Sequence, residues 1–552
     1  MTSERERGSD ALLDILRTEG VAHVFGNPGS TELPLIDALA GVDDIDYVLG
    51  LQEATVVGMA DGYAQATRRP AFLNLHTSAG IGNAVGNLTN ARANGTPLVV
   101  TAGQQDYRHI VTDPLLAGDL TGLASATVKW THEVRTAGEL GTIMRRAFND
   151  AESSPRGPVF VSLPMNLLDE GPAFVPPKSN IDRRSVCGSL PELAALLADC
   201  EPGELAIVAG TEVSQYGATD ALVVLAEVLG AKVYATPLAG THVFPVNHPL
   251  FAGSLVPVGA ALAGALAGFR RVFFIGNQGF KTYPYSPVAA VPPTVELLHL
   301  APDPHALGRT HPVRLGITGD PGASLEALLP IVRTKVASER VAEAMTAARA
   351  AQEVARAKFD GEAEAVAAEV PMALSALGRS LFSALPDDVV VVDESITSGG
   401  ALRPFHRTNK SGRFFFCQGG GLGWGMPAAA GVSLGYGRDF VLCVVGDGSA
   451  MYSPQALWTA ASLDLPVLFV VVNNRQYLIL KNYLRRMGGH AATTGRMVGM
   501  DLVKPAVDYV SLARSMGVDA DRIESVGDVA DAVRAAHDRG RPYLLDLPIA
   551  AP

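Results

Sequence analysis

Two short runs hold the residue types best suited to chemistry: Val444-Val445-Gly446-Asp447-Gly448-Ser449 and Val470-Val471-Val472-Asn473-Asn474. Each closes an apolar run, Phe440 to Val445 and Pro466 to Val472, and a segment of helical character, Gln455 to Leu463, lies between them. The pattern predicts strand, helix, strand. Parallel sheets bind ligands at the carboxyl ends of their strands, and Asp447 and Asn474 fall at two such ends. A carboxylate and an amide carbonyl are hard oxygen donors, the kind Mg²⁺ takes while keeping room for phosphate oxygens. Gly446 and Gly448 let the backbone come close to a phosphate, and the helix start beyond them offers free N–H groups. Gly-Asp-Gly alone occurs in many ordinary turns; followed one helix and one strand later by Asn-Asn, it is far more specific.

A further candidate is Glu53, in Leu51-Gln52-Glu53-Ala54 at a predicted helix start. An isolated glutamate there is ordinarily a solvated first-turn residue favoured by the helix dipole. Its neighbours Val48, Leu49, Gly50, Ala54, Val56 and Val57 are apolar or small, which predicts burial. A buried carboxylate tends to stay protonated or to share a proton with a ligand.

These residues need a scaffold, and the chain reads as three α/β domains of doubly wound type, at 1–170, 185–335 and 365–552. In the first, Val24-Phe25 leads into the turn Gly26-Asn27-Pro28-Gly29-Ser30, then a helix from Glu32 to Leu39. A strand from Tyr47 to Leu49, a helix from Glu53 to Thr67 and a strand from Ala71 to Leu75 ending at His76 follow, with further strands at Pro97 to Thr101 and Val159 to Leu163. The stretch 170–187, with Gly171-Pro172 and Pro176-Pro177, reads as a linker. Middle-domain strands are expected at Leu205 to Val208, Lys232 to Ala235, Val272 to Ile275 and Val295 to Leu300, and a helical connector from Arg333 to Glu369. The third domain alternates again, with strands at Val389 to Val392, Phe414 to Phe416, Phe440 to Val445, Val467 to Val472 and Tyr543 to Leu547.

At 552 residues the chain exceeds one core, and a net charge of −12 argues against nucleic acid or an anionic membrane as partner. No apolar run approaches the length of a membrane span. The charged start Met1-Thr2-Ser3-Glu4-Arg5-Glu6-Arg7 lacks a signal peptide's apolar core, and the four scattered cysteines show no metal or disulfide spacing, so a reduced, cytoplasmic protein is expected.

Asp447-Gly448 followed roughly two dozen residues later by Asn473-Asn474 resembles the metal–diphosphate motif of the thiamine diphosphate (ThDP) enzymes. Leu51 to Ala54 with Ala60-Asp61-Gly62-Tyr63-Ala64 resembles their cofactor-activating glutamate region. The likeness is closer to the benzoylformate decarboxylases, and it runs from about residue 10 to 550. It rests on Gly26-Asn27-Pro28-Gly29-Ser30, Ala71 to His76, Val100 to Gln105, Val128-Lys129-Trp130, Phe244-Pro245, His248 to Phe251, Cys417 with Gly420-Gly421-Leu422-Gly423, and Gly446 to Ala450 with Tyr452-Ser453 and Ala456 to Ala460.

The resemblance implies ThDP and Mg²⁺ as cofactors and a 2-oxo acid as substrate. It also implies a homo-oligomer, a dimer of dimers, with sites formed by domains of different subunits. Glu53 would then hydrogen-bond the aminopyrimidine. Ser30 would contact the substrate carboxylate, and His76 would donate or accept a proton. Leu422 would be the wedge that bends the cofactor, and the Gly420 carbonyl would take its exocyclic amine. Asp447, Asn474 and the Gln476 carbonyl would hold Mg²⁺, and Ser395, Thr397, Gly446, Gly448, Ser449 and Tyr477 would complete the cofactor site. From the residues alone, Ser30 reads equally as a helix N-cap, with Glu32 and Glu53 both misplaced for a capping box. His76 reads equally as a loop histidine, and Leu422 as plain core.

Two departures bear on the substrate. Benzoylformate decarboxylases carry a second active-site histidine from the middle domain, but no histidine occurs between His248 and His299, and Tyr283 takes the place. A phenol titrates ordinarily near 10, so it donates a hydrogen bond but shuttles protons poorly near neutrality. Tyr477-Leu478-Ile479-Leu480, with Tyr483 beyond, is bulkier than the usual aryl pocket lining, and Ile479 could narrow it. The resemblance implies decarboxylation to an aldehyde, with carboligation to a 2-hydroxy ketone as a second outcome; a dedicated carboligase is the same-class alternative. A flavin- or nucleotide-binding oxidoreductase is the alternative from another class, although no Gly-x-Gly-x-x-Gly stands in the required strand–helix context.

Overall fold

A computed structural model describes residues 3–336 and 338–550. Apolar strand sequences alternate with helices, and each pairs in parallel with its neighbours, giving three six-stranded sheets. The first sheet runs Asp46–Leu49, His23–Gly26, Ala71–His76, Leu98–Gln104, Val159–Pro164, Thr131–Glu133. The last runs Phe414–Phe416, Val390–Glu394, Val441–Gly446, Val467–Asn473, Tyr543–Pro548, Asp519–Arg522. Counted within each domain, both orders are 2-1-3-4-6-5. The middle sheet is Phe251–Ser254, Lys232–Ala235, Leu205–Ala209, Arg271–Ile275, Glu296–Ala301, Leu315–Thr318, which is order 3-2-1-4-5-6. All three are doubly wound, as the alternating pattern predicts.

In the two outer sheets the strand order reverses between the first and third strands, and that is where such folds hold ligands. In the first sheet, this point lies between the turn after His23–Gly26 and the end of Ala71–His76. In the last, it lies between the end of Val390–Glu394 and Asp447. The chemistry-bearing residues therefore sit where the topology opens a crevice.

The polar edge strands are what the sequence reading misses, whereas the apolar edges at Asp46–Leu49 and Phe414–Phe416 are expected from it. Thr131–Glu133 and Asp519–Arg522 are short and polar, so no apolar run marks them. The stretch read as a linker contains one as well: Ala173–Val175 pairs antiparallel with Ser3–Arg5, and the flanking prolines end the strand after three residues. The connector is a single helix, Ser338–Ala365. Among the described residues no helix is long and apolar enough to cross a membrane.

The outer domains are welded together. The helix Glu53–Thr67 packs on Gly425–Gly435 through small residues: a methyl on Gly431 would fall 1.9 Å from the Met59 carbonyl oxygen, and one on Gly62 would fall 2.3 Å from that of Ala428. Buried Asp61 accepts the Trp424 indole N–H across this seam at 2.7 Å. One apolar cluster runs from Phe25, Met59 and Leu73 through Met426 and Ala428 to Val445 and Val471.

Candidate active site

Two groups of side chains stand at the two crevices. The first is built at the end of Val441–Gly446. Its register with Val467–Asn473 pairs Gly446 with Val472, so Asp447 emerges beside the turn that begins at Asn473-Asn474. Asp447 is buried; its Oδ1 accepts the Gly448 N–H at 2.8 Å, and its Oδ2 is buried without a partner. Burial pushes this carboxyl up, against backbone N–H groups of Gly448, Arg475, Gln476 and Asn474 that favour its charge. The turn beyond the second strand is tightly held. Asn473 spans to Asp546 at 2.9 Å, Arg475 adopts φ +56°, and Asn474 Oδ1 accepts the Gln476 N–H at 3.0 Å. Lys481 donates to Gln476 Oε1 at 2.7 Å and fixes the same turn to Asp501.

This arrangement fits a divalent cation. An orphaned carboxylate oxygen, an amide and the Gln476 carbonyl of a fixed turn suit Mg²⁺ better than a soft metal. Among the described residues no cluster of three His, Cys, Asp or Glu side chains offers another nest. Beside it there is room for phosphate: a methyl on Gly446 would meet nothing nearer than Ser449 Oγ at 3.9 Å. Gly448 is required for a different reason, since a methyl there would strike the Tyr477 ring at 2.6 Å. Ser449 is buried in the same turn, and Thr397 is half-buried. Ser395 is buried with its N–H and hydroxyl both directed to Asp393 Oδ1, which leaves its oxygen as an acceptor only.

The second group surrounds Glu53, which is 8% exposed at the first turn of its helix, as the apolar neighbourhood predicts. Its carboxylate accepts from Asn27 at 3.3 Å and Asn83 at 3.0 Å. His76 ends its strand and is followed by Thr77 at φ +47°, a strained setting for a β-branched residue that turns the chain sharply into the next helix. Its Nδ1 lies 2.8 Å from Glu32 Oε2. Ser30 is exposed, with no partner among the described residues, at the first position of a short turn. The N-cap is Gly29 and not Ser30, and Glu32 is in register after all: it accepts the Gly29 N–H at 2.8 Å. Counting from Ser30 rather than Gly29 makes Glu32 look misplaced.

An asparagine ladder that the sequence reading passes over ties the Glu53 group to the loop before the Gly425–Gly435 helix. Asn83, Asn87, Asn90 and Asn94 share one face of the helix Thr77–Asn94. Asn83 meets Glu53, and Asn87 bridges the carbonyls of Ala54 and Gly423. Asn90 exchanges two hydrogen bonds with Gly421, and Asn94 holds Asp61 and the Gln418 N–H. The spacing of four, three and four was the available signal. Gly420 stands exposed at φ +76° with open space around it, and Leu422 beside it is half-buried. Glu394, also missed, is fully buried, and its two oxygens accept Gly423 N–H at 2.6 Å and Gly425 N–H at 2.7 Å. Burial pushes it up to about 7.

The middle domain contributes Tyr283, whose ring lies 5.6 Å from that of Tyr483. Tyr283 is 68% exposed, and Ile479 and Leu480, on the same helix as Tyr483, are 41% and 45% exposed. The Tyr483 hydroxyl is buried without a partner. The structure thus gathers Asp447, Asn474, Gln476, Gly446, Gly448, Ser449 and Tyr477 at one crevice, and Glu53, His76 and Ser30 at another. Tyr283 is placed with Tyr483.

Two crevices at strand-order reversals, one with an unpaired carboxylate beside space for phosphate and one with a buried glutamate, define a ThDP-binding enzyme fold. The thiamine pyrophosphate enzyme N-terminal TPP binding domain matches residues 6–124, the central domain 192–328 and the C-terminal TPP binding domain 398–547. The chain belongs to the ThDP-dependent enzymes. It is 34% identical over 547 residues to a benzoylformate decarboxylase of Pseudomonas aeruginosa, covering 98% of each. It is 28% identical over 526 residues to acetolactate synthase isozyme 3 large subunit of Escherichia coli, 92% of this chain and 88% of that one. Among solved structures, a ThDP-dependent 4-hydroxybenzoylformate decarboxylase of Rhodococcus jostii superposes with TM-score 0.86 at 30% identity, covering 98% of this chain and 99% of that one. Benzoylformate decarboxylase of Polynucleobacter necessarius gives 0.88 at 28%, covering 99% of both.

Proposed function

We propose that the protein is a Mg²⁺- and ThDP-dependent decarboxylase of a 2-oxo acid of the benzoylformate kind, releasing an aldehyde. The observation that carries the cofactor reading is the unpaired, buried Oδ2 of Asp447 beside the Asn474–Gln476 turn. Asp447, Asn474 and the Gln476 carbonyl would hold Mg²⁺, and Ser449 with the open backbone at Gly446 would take the diphosphate. Bound ThDP supplies a carbon nucleophile and an electron sink for loss of CO₂.

The chain's own residues do the rest. Glu53, buried and held by two amides, would contact the bound cofactor and hold or move a proton there. Ser30 presents a free hydroxyl to the substrate carboxylate, and His76 presents its ring to the carbonyl. Tyr283, Tyr483, Ile479 and Leu480 wall the substrate side. A phenol in place of a second imidazole slows proton delivery to the product carbon, which favours some transfer to a second carbonyl and release of a 2-hydroxy ketone.

We place the active site between two copies of the chain, in a homo-oligomer working in the cytoplasm. Leu51, Ile479, Leu480 and Tyr283 lie exposed beside the site residues, and a second copy would cover them. The four cysteines are free thiols, which suits a reducing compartment.

The test is CO₂ release from benzoylformate with and without ThDP and Mg²⁺, with NMR of the products. Cofactor-dependent benzaldehyde supports the reading, and a hydroxy ketone moves the protein to the carboligases. An enzyme that binds ThDP but turns over only aliphatic 2-oxo acids overturns the aryl substrate. Asp447→Asn should abolish both Mg²⁺-dependent ThDP binding and turnover.

A further inference from the structure

We propose that Glu32 is the positioning residue of His76, holding its Nδ1 as a donor so that Nε2 is the atom that exchanges a proton with bound substrate. This deepens the function proposed above and rests on it for the substrate only.

The geometry fixes the tautomer. Glu32 is buried, and its carboxylate takes four donors: Gly29 N–H at 2.8 Å, Gly103 N–H at 2.9 Å, the Thr31 hydroxyl at 2.7 Å and His76 Nδ1 at 2.8 Å. Thr31 Oγ1 also lies 3.1 Å from Nδ1. The hydroxyl has one hydrogen, and the carboxylate takes it. Both neighbours of Nδ1 therefore present lone pairs, so Nδ1 carries the proton and Nε2 is left as acceptor. Nε2 has no protein partner among the described residues, and the side chain is 20% exposed. The ring cannot turn away, because it lies against Gly29, where a methyl would fall within 2.5 Å of three ring atoms.

The groups facing the pair leave Glu32 unbalanced. On its own turn stands Thr31. From the neighbouring strand comes the buried Tyr47 phenol, pushed up by burial and by Glu32 itself. From the next helix comes Glu53, reached through Asn27. Among the described residues no lysine or arginine contacts Glu32 or His76. The carboxylate thus favours an imidazolium when His76 takes up a proton at Nε2, as a carboxylate does for the histidine of a hydrolytic triad. This bears on the middle-domain tyrosine: with Tyr283 a poor shuttle, His76 is left as the histidine of the site.

The experiment compares wild type, Glu32→Gln, His76→Ala and the double variant, each loaded with ThDP and Mg²⁺. Glu32→Gln should lower kcat by about 100-fold and move the acid limb of the kcat profile to lower pH. Added to His76→Ala, it should cost less than about 2-fold, since its effect passes through the ring. A readout independent of substrate is carbethoxylation of His76 by diethyl pyrocarbonate, followed by peptide mass. Glu32→Gln should slow it by roughly 10-fold. If the amide does not fold, Glu32→Asp, which keeps the charge but withdraws it from Nδ1, should shift both readouts in the same direction. A folded variant with unchanged pH limb and unchanged carbethoxylation overturns the proposal, as does a full additional loss in the His76→Ala background. If benzoylformate is not a substrate, the carbethoxylation comparison still decides.

Discussion

At the scale of single residues the site is held by close approach. Gly29 has an ordinary extended backbone, so its need for glycine is space alone: the His76 ring occupies the volume of a side chain there. Gly29→Ala should displace the ring, costing roughly 1–3 kcal/mol of stability by overpacking and at least about 10-fold in kcat by misplacement. Thermal melts and steady-state kinetics on one preparation check this; a wild-type kcat would show that ring placement does not matter. Glu53 sits between two amide donors, and Glu53→Gln keeps its shape while removing its capacity for proton transfer. We expect kcat to fall roughly 100- to 10,000-fold at saturating ThDP, with a stability loss of only about 1–3 kcal/mol. A variant that lost stability but kept its turnover would reduce Glu53 to a structural carboxyl.

At the scale of elements the telling contact is between Glu394 and the start of the Gly425–Gly435 helix. Its carboxyl is fully buried and is pushed from its ordinary 4.5 up to about 7, chiefly by desolvation. Between those values the folded chain holds a proton that the unfolded chain has released. The stability this contributes is fully present below pH 4.5 and is lost as pH rises through about 7, on the order of 3 kcal/mol in all. Glu394→Gln should flatten the fall in urea midpoint between pH 5 and 7; an unchanged slope would assign it to other groups. That contact was invisible in the sequence, where Glu394 reads as one more residue at a strand end. What is legible follows from pattern: the small and apolar run after Gln52 gives the Glu53–Thr67 helix the bounds it has, the central strands are continuous apolar runs, and Asp447 and Asn474 fall just past strand ends. What was not legible depends on partners far away in the chain. The polar edge strands carry no apolar run, the Asn83–Asn94 ladder has meaning only against Gly421 and Gly423, and Glu32 looked idle until the fold brought Gly103 and His76 to it.

At the scale of the whole molecule, one chain holds both halves of the chemistry, Glu53 on the first domain and Asp447 on the last. No hydrogen bond connects Glu53 with Asp447, Asn474 or Gln476 among the described residues, while the seam of Gly58, Gly62 and Gly431 fixes the outer domains rigidly against each other. In the homo-oligomer proposed above, the Glu53 half of one copy would meet the Asp447 half of another. A two-fold arrangement supplies this twice over, since a self-complementary interface pairs each half with its counterpart. Complementation follows as a prediction. Glu53→Gln and Asp447→Asn chains, each inactive alone, should regain activity when co-expressed with different tags. In a mixed dimer one site carries both lesions and the other carries neither, so random pairing restores about a quarter of wild-type sites. Isolating the doubly tagged species should raise this to about half. If each chain completed its own site, every site in the mixture would carry one lesion, and the doubly tagged species would be as inactive as its parents.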